Sequence, residues 1–134
     1  MAIRNDYLVD MIARFVESVM RGAGRLRAGD EQGVADYEAV IGEVLDMDAA
    51  TALALSPASL VTMMQISAVD ERLAVYAAYC LERIADVYEG RPDGMAGVRR
   101  EQARAINASY GVEPGMVPPE VQEALAAQQA EGRA

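Results

Sequence analysis

Apolar residues in this chain recur three and four positions apart over long stretches, and that period admits one kind of element. Leu8, Met11, Ile12, Phe15, Val16, Val19, Met20, Ala23 and Leu26 trace a wide stripe, with Asp6, Asp10, Arg14, Glu17, Arg21 and Arg25 on the opposite side. A strand would need alternation at every second residue, so the spacing predicts an amphipathic helix. Asn5 is its expected N-cap and Gly29 its stop. Gly22 and Gly24 fall inside it, at about 1 kcal/mol each relative to alanine. They either let another helix approach closely or mark a weak last turn.

The period resumes with Val34, Tyr37, Ile41, Val44 and Leu45 and fades between Asp46 and Asp48. The intervening turn is short, so the first two helices are expected to form an antiparallel hairpin. Residues 49–55 have room for one irregular turn. Ser56-Pro57 reads as an N-cap followed by proline at the first helical position, opening a short helix through Leu60, Val61, Met63, Met64 and Ile66. A long helix is expected from Ser67 or Val69 to Glu89, with Leu73, Tyr76, Ala77, Cys80, Leu81, Ile84, Val87 and Tyr88 inward. Val75 and Tyr79 lie off that stripe, so apolar groups almost encircle it and it should be central.

Gly90-Arg91-Pro92-Asp93 is a break. The helix after it, from Asp93 to Tyr110, has a narrower face of Met95, Val98, Ala103, Ile106 and Tyr110 that suits an outer position, and Gly111 caps it. No strand-like run competes, so the expected fold is all-α, with about five main helices arranged in hairpins. Residues 1–111 read as one helical domain. Residues 112–134 read as a proline-containing linker and a loosely docked C-terminal helix that begins at Pro119.

Composition excludes much chemistry. The 134 residues contain 12 Arg, no Lys, no His and a single Cys. Ser-His-Asp and Cys-His sites, imidazole metal ligands, Schiff bases and a phosphate-gripping lysine are therefore absent. Lone Cys80 forms no internal disulfide and supplies too few ligands for zinc or an iron–sulfur cluster. No catalytic residue, cofactor or metal site is assigned. The net charge of −9 repels a phosphate backbone, so nucleic acid is not an expected partner. Residues 49–68 carry no charge, but Ser56, Pro57, Ser59, Thr62, Gln65 and Ser67 interrupt them, so no membrane span is expected. The opening MAIRNDYLVD lacks the pattern of a secretory signal, and a cytoplasmic location is the default expectation.

A weak repeat relates Leu26, Gly29 and Ala35 to Val87, Gly90 and Ala96, each trio spanning a helix end, a turn and the start of a second helix. With the opening Asn5-Asp6-Tyr7-Leu8, then Met11-Ile12, Gly29-Asp30, Leu55-Ser56-Pro57 with Leu60, and the 88–96 turn followed by Ala103, the chain resembles an uncharacterised bacterial family of small tetratricopeptide-like helical proteins. The resemblance spans roughly residues 3–110. It implies helical hairpins in a right-handed tetratricopeptide-like or bundle arrangement and carries no known activity. Six residues separate Gly29 from Ala35 where a good tetratricopeptide turn has five, and Arg100 and Gln102 stand where larger apolar residues are usual.

Apolar residues make up 52% of the chain with only one Phe and no Trp, which points to a self-associating helical interaction module or a module for another protein partner. Candidate interface residues are Leu60, Met63, Met64 and Ile66 of the uncharged segment, with Met47 beside them as adaptable filler. Arg100 and Arg104 share a helix face and, with Arg99, form the densest positive spot, suited to a carboxylate-bearing partner or to the acidic first half of another copy. The plainer reading of the arginines is ion pairing within the chain; that of the methionines is core packing. The alternative function is a small-ligand-binding protein or enzyme whose pocket is lined by Tyr76, Tyr79, Tyr88 and Tyr110. Cys80 reads as a buried inert thiol. Glu43, Asp46 and Asp48 match no calcium loop and read as helix-end solvation.

Overall fold

The structure, a computed structural model, describes residues 2–133, which form seven α-helices and no strand. They are α1 (Ala2–Arg27), α2 (Gly33–Leu45), α3 (Ala49–Leu53), α4 (Pro57–Ile66), α5 (Glu71–Tyr88), α6 (Met95–Tyr110) and α7 (Pro119–Arg133). The expected all-α class holds. None of the described helices is long and apolar enough to cross a membrane.

The boundaries follow local chemistry. At the end of α1 the Gly29 N–H donates to Leu26 O and the Asp30 N–H to Arg25 O, with Gly29 at φ +82°. This is the Schellman closure expected of a glycine stop. The start differs from expectation: α1 begins at Ala2, so Asn5 lies within the helix rather than capping it. Ser56 accepts the Ser59 N–H and Pro57 occupies the first turn of α4, as the sequence predicts. Residues 49–55, expected to hold one irregular turn, instead form the five-residue α3, because Asp48 caps it by accepting the Thr51 N–H. The long helix begins later than expected, at Glu71, where Asp70 accepts the Arg72 N–H.

Helices α1 and α2 form one hairpin and α5 and α6 the other; α2 packs on α5, α3 on α2, α4 on α6 and α7 on α1. The first crossing explains Gly22. A Cβ there would lie 3.0 Å from Gly33 O, and one at Gly33 would lie 2.5 Å from Gly22 O. The two glycines let the backbones approach closely, whereas Gly24 meets only a flexible arginine tip. Beside the crossing, buried Asp36 of α2 accepts from Arg21 at 3.1 Å and Arg25 at 3.0 Å. These α1 arginines read in the sequence as a solvent-facing row; their heads instead bridge the hairpin.

Helix α5 is central, as expected: Leu73, Tyr76, Ala77, Cys80, Leu81 and Ile84 are buried, and so is Val75. Phe15 and Tyr76 meet with ring centroids 5.6 Å apart. The Tyr76 hydroxyl donates to Glu120 Oε1 at 2.7 Å and Val121 is fully buried, so the first turn of α7 is anchored while most of the helix beyond it is exposed. The repeat positions fall in equivalent places, Gly29 and Gly90 at φ +82° and +83°, Ala35 and Ala96 in the first turns of α2 and α6. Glu31 of the first turn and Arg91 of the second form an ion pair across the two hairpins.

Candidate functional site

The candidate interface residues separate on folding. Leu60 and Met64 are core residues, 1% and 0% exposed, because their face of α4 is laid against α6. They are out of a partner's reach, which corrects the surface expected of them. Met63 is half-buried, and Ile66 is 74% exposed. Arg100 is also withdrawn. Its guanidinium donates to Glu82 at 3.0 Å and Asp86 at 3.0 Å on α5 and to Glu89 at 2.9 Å at that helix's C-cap. Acids spaced along one face of α5 meet the facing arginine of α6, and these hydrogen bonds push its pKa further up. Arg104 is exposed and has no ion pair among the described residues.

The four tyrosines do not share a cavity. Tyr76 is in the core, Tyr110 donates to Val69 O at 3.1 Å, Arg83 lies over Tyr79 and Arg91 over Tyr88. Cys80 is fully buried, and desolvation pushes its thiol far up, away from thiolate chemistry. Asp48 caps α3, and Glu43 is 3.7 Å from Arg14.

Two clefts remain. The first, of about 260 Å³, lies at one end of the bundle. Tyr7, Leu8 and Met11 of α1, Val44 and Leu45 of α2, and Leu73 of α5 give it an apolar lining, and residues 67–70 close it. Tyr7 is 62% exposed there, and Ile66 immediately precedes the closing segment. Of the three acids lining it, Glu43 faces Arg14 and Asp70 pairs with Arg72 at 3.0 Å, while Asp46 has no ion pair among the described residues.

The second cleft is lined by Glu38 of α2, Ala50 and Leu53 of α3, Ala54, and Met95, Val98 and Arg99 of α6. Arg99 is only 7% exposed, and Gln102 is fully buried one turn further on. Arg99 Nη1 donates to Leu53 O and to Gln102 Oε1, both at 3.0 Å. Gln102 Nε2 donates to Leu53 O at 3.0 Å and Leu55 O at 2.9 Å. Together they satisfy carbonyls that the end of α3 leaves without helical partners. Burial lowers the pKa of Arg99, with Glu38 opposing that shift, and burial raises the pKa of Glu38, with Arg99 opposing. Sequence reasoning missed this pair as a site. The available signal was two long polar residues, Arg99 and Gln102, on the same helical stripe as Ala103 and Ile106.

The chain matches no family model, no curated protein and no solved structure.

Proposed function

We propose that this protein is a non-catalytic, cytoplasmic helical interaction module that self-associates through the cleft at the end of its bundle. The observation carrying this reading is that mostly exposed Tyr7 lines a cleft together with the apolar Leu8, Met11, Val44, Leu45 and Leu73. Exposed apolar side chains around a concave apolar surface mark interaction sites more often than scattered ones do. The copies carry the same net charge of −9, so association must be driven by apolar burial and helped by local neutralisation of Glu43 and Asp70, two of the three acids on the cleft's lining. A buried free thiol fits a reducing compartment.

The stacking order α1, α2, α5, α6, with a glycine turn closing each hairpin, supports a tetratricopeptide-like arrangement and the family resemblance drawn from the sequence. Light scattering coupled to size exclusion, at low and high salt, tests the functional reading. The expected result is a dimer that persists or tightens at high salt, since screening reduces repulsion between like-charged copies. Tyr7→Glu should weaken it by about tenfold or more, because a carboxylate would be desolvated in the contact. A monomer throughout, a dimer lost at high salt, or one indifferent to Tyr7→Glu overturns the proposal.

A further inference from the structure

A smaller cavity, of about 50 Å³, lies where α5 and α6 meet the linker that leads to α7. Tyr79, Glu82 and Arg83 of α5, Asn107 of α6 and residues 115–117 of the linker line it. Asn107 is only 7% exposed, yet its side chain makes no hydrogen bond among the described residues. Its amide atoms are nevertheless not sealed off. Among the described residues only Arg83 Nε and Arg99 Nε are both buried and without a partner, so the Asn107 oxygen and nitrogen keep accessible surface. The Asn107 carbonyl accepts the Gly111 and Val112 N–H groups at the end of α6, a task any residue can perform. The amide side chain has no part in it, and a buried polar side chain is ordinarily bonded.

The charges around the cavity are already paired. Glu82 accepts from Arg100 at 3.0 Å, and Arg83 Nη2 lies 3.1 Å from Asp86 with its guanidinium over the Tyr79 ring. The idle polar capacity is therefore neutral, one acceptor and one NH2 donor on the same planar group. A carboxylate has no donor for the Asn107 oxygen, and an ammonium has no acceptor for its nitrogen. A primary carboxamide carries the matching pair in reverse and meets both through two parallel hydrogen bonds. Met116 and Val117 offer apolar contact beside it, and Met116 is 47% exposed. One water needs about 10–15 Å³, so the cavity has room for a head group of about four heavy atoms. We propose that this cavity binds a small primary carboxamide, held by the side-chain amide of Asn107 with its alkyl end on Met116 and Val117. A free short-chain amide and the side chain of a glutamine share this chemistry. The site shares no residue with the end cleft and does not depend on self-association.

The chain has two asparagines, Asn5 and Asn107, so ¹⁵N labelling of asparagine side chains gives two NH2 pairs, and Asn5→Gln assigns them. The test follows these resonances of the full chain during titration with propionamide, N-methylpropionamide, propionate and N-acetyl-glutamine methylamide. Propionamide should shift the Asn107 pair saturably and leave Asn5 unmoved. N-methylpropionamide, whose N–H points away from its carbonyl, and propionate, which has no donor, should bind about tenfold or more weakly, because one half of the amide is left unpaired. Tighter binding of the glutamine derivative assigns a side chain, and tighter binding of propionamide a free amide. Asn107→Asp keeps the shape, removes the donor and should abolish binding, read at the Met116 and Val117 backbone N–H groups. Met116→Ala, at an exposed position, should weaken binding several-fold through lost apolar contact, and it decides should Asn107→Asp fail to fold. No saturable shift with either primary amide means that water alone occupies the cavity and overturns the proposal. Propionate or N-methylpropionamide binding as well as propionamide, or binding at full strength in the deciding variant, overturns it too.

Discussion

Replacing Gln102 by leucine keeps the volume and removes the polar group that ties α6 to the end of α3. The change deletes two bonds to carbonyls, at 3.0 and 2.9 Å, and one accepted from a guanidinium at 3.0 Å. Neutral hydrogen bonds of this kind contribute about 1 kcal/mol each and one to a charged group about 1.5 kcal/mol or more. Leu53 O keeps its Arg99 donor, but Leu55 O loses its side-chain partner. Against roughly 3.5 kcal/mol lost, leucine recovers about 1 kcal/mol of apolar burial, leaving a net cost of about 2–3 kcal/mol. Unfolding entropies of about 2.1 cal/mol/K per residue over 134 residues give about 0.28 kcal/mol per degree, so the midpoint should fall by about 7–11 °C. Thermal unfolding followed by far-UV circular dichroism measures this directly. A shift below about 3 °C would mean that water replaces the glutamine at little cost, and that the pair is not the buried clamp described above.

Two further outcomes are expected. Ala68 sits at φ 52° in the turn that closes α4, with its N–H donating to Gln65 O and the Val69 N–H to Met64 O. Left-handed backbone costs a residue with a Cβ about 1–2 kcal/mol, so Ala68→Gly should raise stability by about 1 kcal/mol once unfolded-chain entropy is offset; denaturant titration reads the sign, and destabilisation would refute the assigned strain. Tyr37 has its pKa pushed up from 10.0 to about 12, chiefly by desolvation, with Tyr79 and Cys80 adding to it. The folded value lies above the unfolded one, so this contribution is intact below pH 10 and is lost as pH rises toward 12. Tyr37→Phe should flatten that part of the stability profile, measured by denaturant titrations across the range, and an unchanged profile would count against Tyr37 as its source.

Most of the framework was legible in the sequence because helix starts and stops are local chemistry. Ser56-Pro57, Gly29 and the Gly90 to Asp93 break act through neighbouring backbone groups, and they hold in the fold. Helix α3 was not legible, since five residues cannot show a 3.6-residue period and only the Asp48 cap marks them. The start of α5 was displaced because residues 67–69 are spent on closing α4 through Ala68, a residue that carries no turn signal. Leu60 and Met64 were legible as apolar but not as buried: burial depends on α6 covering α4, a contact between elements that are not neighbours in the chain.

The polar residues of α6 show where sequence and fold diverge most sharply. Arg99 and Arg100 are neighbours in the chain and read alike as positive surface. A helical step of about 100° sends them to different environments. Arg100 turns to α5, where three carboxylates surround it at the edge of the packing. Arg99 turns to the end of α3, where its hydrogen-bond acceptors are carbonyl and amide oxygens and Glu38 of α2 supplies the facing charge without a direct ion pair. A count of charges treats the two as equivalent, whereas the stripe that Arg99 shares with Gln102, Ala103 and Ile106 separates them, because it places Arg99 among positions that must be covered. The same stripe explains why α6 can be a packed element despite its narrow apolar face: the glutamine and arginine complete the hydrogen bonding of α3 and are buried because of that role.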